Sequence, residues 1–288
     1  MESRWTRIGL RAWVVLVVVF LYFPIALIFL YAFNQSRIQS WPISHFSLTW
    51  FTVAWHDPDV REALALSLKA GVLATLAAMV LGSLAAFAVH RFKFFGREVV
   101  SFLLLLPIAL PGIVTGIALK SFFSFNGYKL SLWTIIVGHA TFCIVIVYNN
   151  MIARLRRTSS SLLEASQDLG AHGWQTFRYI TLPMVSTSLI GGALLAVALS
   201  FDEVDVTVFT AGAQNTLPLW IFGAIRLGQQ LPEVNVVVST VIVLTVIPVA
   251  IAARLTGGGG LTRSGGASSE AALPPGPRPT RAVGVTAE

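Results

Sequence analysis

Six long apolar runs constrain this chain before anything else does. A helix that crosses a bilayer needs about 20 largely apolar residues, about 30 Å at 1.5 Å per residue. The sequence supplies such runs at about 12–33, 64–89, 99–120, 132–153, 184–205 and 234–254. Hydrocarbon offers no water to backbone N–H and C=O groups, so each run must satisfy its own hydrogen bonds, as a helix does. A soluble domain would need polar surface to cover six such helices, and 11% charged residues against 55% hydrophobic ones do not provide it. The expected fold class is therefore an all-α integral membrane protein with six transmembrane helices.

Lys and Arg residues orient the spans, because short loops rich in them stay cytoplasmic. Arg4, Arg7 and Arg11 precede the first run and Arg91, Lys93 and Arg97 follow the second. Arg154, Arg156, Arg157 and Arg178 follow the fourth, and Arg254 the sixth. The opposite loops hold Arg37, Arg61, Lys129 and Arg226, with Lys69 and Lys120 near span ends. This pattern predicts cytoplasmic N- and C-termini and a cytoplasmic 164–183 segment. The first run is too long for a signal-peptide core and lacks a small-residue cleavage site, so it reads as a retained anchor. Cys143 is the single cysteine, which excludes an intramolecular disulfide and a cysteine metal cluster. The net charge of +7 is accounted for by the basic loops and gives no reason to expect a nucleic-acid partner.

From 256 to 288 Gly, Ser, Pro and Ala dominate, which predicts a disordered cytoplasmic tail after a membrane domain at 1–255. On the other face, LPLWIFGAIRLGQQLPEVN from Leu217 is apolar and Pro-bounded but shorter than a span, as expected of a re-entrant or surface-lying helix.

The segment EASQDLGAHGWQTFRYITLP breaks the pattern by being polar and yet patterned for structure. Ser161 with Glu164 fits a capping box, Gly170 fits the left-handed residue that ends a helix, and HGWQTFRYI starts a second short helix before Leu182 and Pro183 open the fifth span. A helix-turn-helix hairpin over about 158–183 follows. Its Leu162, Leu163, Leu169, Trp174, Phe177 and Ile180 exceed what a solvated linker needs, so part of its surface is expected to dock. Packing on the chain's own helix ends and docking on a partner both remain open on pattern alone.

At Glu164, Ala165, Gly170, Ala171, Phe177, Ile180, Leu182 and Pro183 the chain resembles the loop named EAA of permease subunits in binding-protein-dependent ABC importers, with Ser166 standing where the third small residue is usually Ala. LPIALPGIVTGIAL from Leu106, LWTIIVGHATFC from Leu132, LSFDEV from Leu199, and LPLWIF followed by PEVN extend the resemblance over about 10–255 and narrow it to the second permease of spermidine/putrescine-type systems. The resemblance implies the type I importer fold, with coupling helices seated on a cytoplasmic ATPase. It further implies a heterodimer with a second permease, an ABC ATPase dimer that binds and hydrolyses the ATP, a solute-binding protein on the outer side, and location in the bacterial inner membrane. Glu164, Ala165, Gly170, Ala171, Leu182 and Pro183 become the expected ATPase-coupling residues.

Asp202, Glu203 and Asp205 near the outer end of the fifth run need a reason, because a carboxylate at the bilayer centre costs about 2.5–3.5 kcal/mol on insertion scales. Hydrated surface groups are one reading. The other places them along the pathway attracting an organic cation, with Asp202 and Asp205 on one face at i, i+3. The resemblance favours Ser200, Asp202 and Glu203 as pathway residues and matches Trp50 to an aromatic position suited to a cation–π contact. It departs at Gly112, where several such permeases carry an acid. Pro107, Pro111 and Gly112 predict a broken third span whose freed backbone groups line a cavity. His139, Cys143, Asn149 and Asn150 read as interhelical hydrogen-bonding or packing groups.

The function expected is the membrane-spanning subunit of an ATP-driven importer for polyamines or related small organic cations. It is expected not to be an enzyme and to need no cofactor of its own, since no GxxxxGK[ST], GxSxG or HExxH pattern occurs. The same machinery for an amino-acid-like compound or metal complex is the runner-up. The 164–183 loop argues against an ion-gradient-driven secondary transporter, and an intramembrane enzyme would need a nucleophile and base, or metal ligands, converging at membrane depth.

Overall fold

The computed structural model describes residues 3–228 and 230–257. Among these the chain forms α1 (Arg4–Ala32), α2 (Thr49–His56), α3 (Pro58–Arg91), α4 (Arg97–Ala109), α5 (Gly112–Phe125), α6 (Leu132–Arg156), α7 (Ser160–Asp168), α8 (Gly173–Thr176), α9 (Leu182–Asp202), α10 (Thr207–Thr210), α11 (Leu217–Leu227) and α12 (Leu231–Gly257). A π-helical turn, Phe177–Thr181, joins α8 to α9. Contacts divide the chain after Ser239, and the second unit is represented by the remainder of α12.

α3, α6 and α9 form the core of the first unit. Lipid tails are as apolar as leucine, so close backbone approach rather than hydrophobic exclusion must hold such helices together. α3 meets that need with buried Ala70, Ala74, Ala78, Gly82 and Ala86, a ridge of small residues four apart. At Gly82 a Cβ would lie 2.8 Å from the Ile144 carbonyl and 3.0 Å from the Val147 Cβ, so only glycine permits this approach. Ala70 clusters with Ile135 at one end and Gly82 meets Val147 further along, so α3 and α6 run parallel. Gly192 of α9 faces Asn150 while Ser200 reaches back to His139, so α9 runs antiparallel to both. Of the apolar windows, that of α6 is 67% buried and that of α1 is 0% buried, which makes α6 the central helix and leaves α1 peripheral.

The expected third span is broken. α4 and α5 meet at 105°. Pro111 has no N–H to continue the α4 ladder and forces Leu110 into extended geometry, with ψ 143°. Gly112 and Gly116, four apart on α5, receive the segment 205–209: a Cβ on Gly112 would lie 2.9 Å from the Asp205 Cβ, and one on Gly116 would lie 2.6 Å from the Phe209 ring. The short apolar segment after Thr216 is the helix α11, tied to α3 by a bond from the Leu217 N–H to Ser67 Oγ of 2.8 Å.

Among the described residues, four helices are long and apolar enough to cross a membrane, and the bent α4–α5 pair counts as a fifth. α12 covers the sixth expected span, and its described apolar part is Leu231–Val246. The tail expected from 256 lies outside the described residues, except that Thr256 and Gly257 still belong to α12.

Candidate functional site

The hairpin at one end of the core is real, but its first cap is not the expected one. Ser159, not Ser161, is the N-cap of α7: its side chain accepts from the Ser161 N–H at 3.2 Å, while Glu164 stands exposed on the helix surface. Three serines in a row offer three possible caps, and the choice falls to the residue whose backbone is extended (φ −69°, ψ 132°). The C-terminus is as expected. Gly170 has φ +82°, its N–H donates to the Gln167 carbonyl at 2.8 Å, and the Ala171 N–H donates to the Ser166 carbonyl at 3.0 Å. These are the two bonds of a Schellman ending.

Ser166 proves to be a working part of the hairpin. It is 6% exposed, and its hydroxyl lies 3.0 Å from that of Thr176, also buried, and 2.8 Å from the Leu163 carbonyl. The side chain therefore joins α7 to α8, which an Ala could not do. The second short helix is also corrected: it does not stop before Leu182. α8, the π turn and α9 form one helix, Gly173–Asp202. The Leu182 N–H donates to the Phe177 carbonyl, and this wider turn admits Pro183, which has no N–H to give. Phe177 packs against Phe87 of α3 at 5.8 Å and stacks on Trp174 at 5.6 Å, while Leu169 and Trp174 stay 88% and 63% exposed. The inner side of the hairpin packs on the chain itself and its tip is bare. Ala165, Leu182 and Pro183 are exposed and Ala171 is half-buried.

At the other end of α9 the acidic residues are placed differently from expectation. α9 stops at Asp202, and Glu203 is extended, with φ −74° and ψ 115°. Asp202 and Asp205 therefore do not share a helical face. The half-buried Glu203 turns inward, where its Oε1 accepts from the Val206 N–H at 2.9 Å and its carbonyl accepts from Thr207 Oγ1 at 2.7 Å. Asp202 and Asp205 are the exposed acids. Gly112 is the seat of Asp205, so a larger residue there would collide with the acid that this chain carries across from it.

Ser200 is 3% exposed and bonded to His139 Nδ1 at 2.7 Å, while His139 Nε2 meets Thr207 Oγ1 at 2.8 Å. Thr207 gives its own proton to the Glu203 carbonyl, so it accepts from Nε2–H and leaves Nδ1 to accept from Ser200. The tautomer is thereby assigned by the network, and the hydroxyl of Ser200 is committed within the chain. His139 acts as an interhelical hydrogen-bonding group, as expected. Cys143 likewise donates to the Ala196 carbonyl at 3.4 Å.

Trp50 lies on α2 with its Nε1–H donating to the Gln35 carbonyl at 3.2 Å. Its ring face is already occupied: the Arg37 guanidinium carbon lies 5.7 Å from the ring centroid. Both line a cavity of about 460 Å³ with Glu233, a residue that sequence reasoning passed over. No local pattern pairs Glu233 with Trp50, because one opens α12 and the other lies on α2; only the fold brings them together.

Residues 78–257 match the family described as binding-protein-dependent transport system inner membrane component. The chain is 32% identical over 254 residues, covering 87% of it and 98% of the relative, to the spermidine/putrescine transport system permease protein PotC of Haemophilus influenzae. It is 33% identical over 232 residues, covering 77% of it and 82% of the relative, to the putrescine transport system permease protein PotI of Escherichia coli. It is 29% identical over 211 residues, 72% of it and 79% of the relative, to a putative 2-aminoethylphosphonate transport system permease protein, PhnV, of Salmonella paratyphi A. In fold it is similar to a chain of a bacterial ABC transporter involved in import of the acidic polysaccharide alginate, with a TM-score of 0.65 at 18% identity, covering 88% of this chain and 98% of that one. With its broken span, its hairpin-fed α9 and a family match across α6, α9 and α12, this chain belongs to the binding-protein-dependent inner membrane components, as a permease component of an ABC importer with the type I fold.

Proposed function

We propose that the chain pairs with a second permease subunit to form a pathway for polyamines or related small organic cations, driven by a separate ABC ATPase dimer and fed by a solute-binding protein. Both termini and the 158–183 hairpin face the cytoplasm of a bacterium, and Asp202, Asp205 and Trp50 face outward. Glu164, Ala165, Gly170 and Ala171 present the hairpin to the ATPase, and Leu182 and Pro183 carry its displacement into α9. The observation that supports this reading best is the continuous helix Gly173–Asp202, 30 residues or about 45 Å long, with the hairpin at one end, exposed Asp202 as its last residue and exposed Asp205 three residues further on. A push on the hairpin is carried along this helix to Asp202. Carboxylates at that depth resist leaving water, and an arriving cation offsets the penalty while an anion adds to it.

The test is uptake of radiolabelled putrescine and spermidine by cells expressing equal amounts of wild-type complex and of an Asp202→Asn, Asp205→Asn double variant. Glu203 is left intact because its carboxylate caps a turn. Uptake is expected to fall by about tenfold or more, the factor set by about 1.4 kcal/mol; unchanged uptake removes the two acids from the pathway. A second reading, an amine that also carries an acid, draws on the likeness to the 2-aminoethylphosphonate permease. Competition by 2-aminoethylphosphonate against putrescine uptake decides between them.

A further inference from the structure

The turn that links α3 to α4 reads Arg91, Phe92, Lys93, Phe94, Phe95, Gly96, Arg97, and so interleaves cations with phenylalanines. Basic loops orient spans wherever they stand, so the charges by themselves say nothing further. What topology leaves unexplained is how the fold arranges them. α3 stops at Arg91, the Phe92 N–H donates to the Ala88 carbonyl at 3.1 Å, and Gly96, at φ +81°, turns the chain back into α4. Phe95 is left fully exposed, and Phe92 and Phe94 are 61% and 41% exposed. A turn in water gains nothing by holding three such rings out. α6 brings a further guanidinium to the same place. The fields of Arg97, Arg156 and Arg91, one each from α4, α6 and α3, act together on the half-buried His90, and no acid is among the groups that do. A bond of 3.1 Å from the Tyr148 hydroxyl to Ser101 Oγ ties α6 to α4 and keeps these side chains in register. Lys93, Phe94 and Arg97 line an open cleft of about 470 Å³, where Glu98 supplies the one carboxylate. Arg91, Lys93, Arg97 and Arg156 against Glu98 leave this corner strongly positive.

The apolar side of the corner does not end at the turn. Val99, Phe102 and Leu103 of α4, spaced three and four apart, are each more than half exposed and carry the apolar surface down the span. What fits here has a negative head at the level of the turn and an apolar body alongside α4. We propose that the α3–α4 turn is a seat for an anionic phospholipid of the cytoplasmic leaflet. Its phosphodiester is held by Arg91, Lys93, Arg97 and Arg156, its acyl chains lie along α4, and Phe92, Phe94 and Phe95 are wedged at the headgroup boundary. Guanidinium forks match phosphate oxygens two at a time, and basic side chains lay their stems on apolar surface while their charges reach the headgroups. The negative surface potential of that leaflet draws such a cluster in, and basic pockets at the cytoplasmic ends of spans suit phospholipid heads. The seat rests on the topology given above and does not depend on which solute the pathway carries.

The experiment is native mass spectrometry of the purified permease–ATPase complex, titrated with dioleoylphosphatidylglycerol and, separately, with dioleoylphosphatidylcholine. It compares wild type with an Arg91→Gln, Lys93→Gln, Arg156→Gln variant, whose sites are all exposed, and with a Phe94→Ser, Phe95→Ser variant. Wild type is expected to prefer the anionic lipid by about tenfold, and the charge variant to bind the two lipids within about twofold of each other. The phenylalanine variant is expected to bind both lipids about threefold more weakly and to keep the preference, which tests the seat even if the charge variant assembles poorly. Equal binding of the two lipids by wild type would overturn the seat, as would an undiminished preference in the charge variant or unchanged binding in the phenylalanine variant. Loss of the ATPase from the charge variant would reassign the corner to a protein contact. Displacement of phosphatidylglycerol by millimolar inorganic phosphate would mark a site for soluble anions and defeat the lipid assignment.

Discussion

His139 shows how much one side chain decides in a membrane core. It is 1% exposed and ties α6 to α9 through Ser200 and to α10 through Thr207. Those bonds set where the chain turns after Asp202, and so where Asp202 and Asp205 emerge. His139→Ala leaves two buried hydroxyls without this partner, a loss of about 1–3 kcal/mol. The purified complex is expected to melt at a lower temperature and to lose putrescine uptake, and His139→Gln to recover part of both. An unaltered melting temperature in the Ala variant would dismiss the clamp.

At the scale of elements, the hairpin is a packed unit rather than a loose linker. The Schellman ending at Gly170, the Ser166–Thr176 bridge and the Phe177–Phe87 contact fix α7 and α8 against each other and against α3. Nothing lies within 4 Å of a Cβ built at Gly170, so any substitution there acts through backbone conformation alone. Gly170→Val forces a branched residue toward φ +82°, at about 1–2 kcal/mol or more, whereas Asn tolerates that region. Solute-stimulated ATPase activity of the purified complex is expected to drop sharply for Gly170→Val and to persist for Gly170→Asn. Full stimulation in the Val variant would detach the hairpin from coupling.

For the whole molecule, the question is which way it stands in the membrane. With Cys143 replaced by Ala, single Ser161→Cys and Asn215→Cys variants place exposed thiols on the hairpin and on the loop before α11. An impermeant maleimide is expected to label the Asn215→Cys variant in intact cells and the Ser161→Cys variant only after permeabilisation. The reverse pattern inverts the topology.

What the sequence determined by itself follows from local physics. Apolar run length set the spans, Pro111 the break, and Gly170 the end of α7, because each constrains its own backbone whatever surrounds it. The family was reached separately, through the resemblance at 164–183 and 199–205. Tertiary structure alone decided the rest. It chose Ser159 over Ser161 as the cap, ran α8 through a π turn into α9, and ended α9 at Asp202, which separated Asp202 from Asp205 and turned Glu203 inward. It also made Gly112 a seat for Asp205 and laid Arg37 on Trp50 beside Glu233. These outcomes depend on which partners distant segments present to one another, and no periodicity along the chain carries that information.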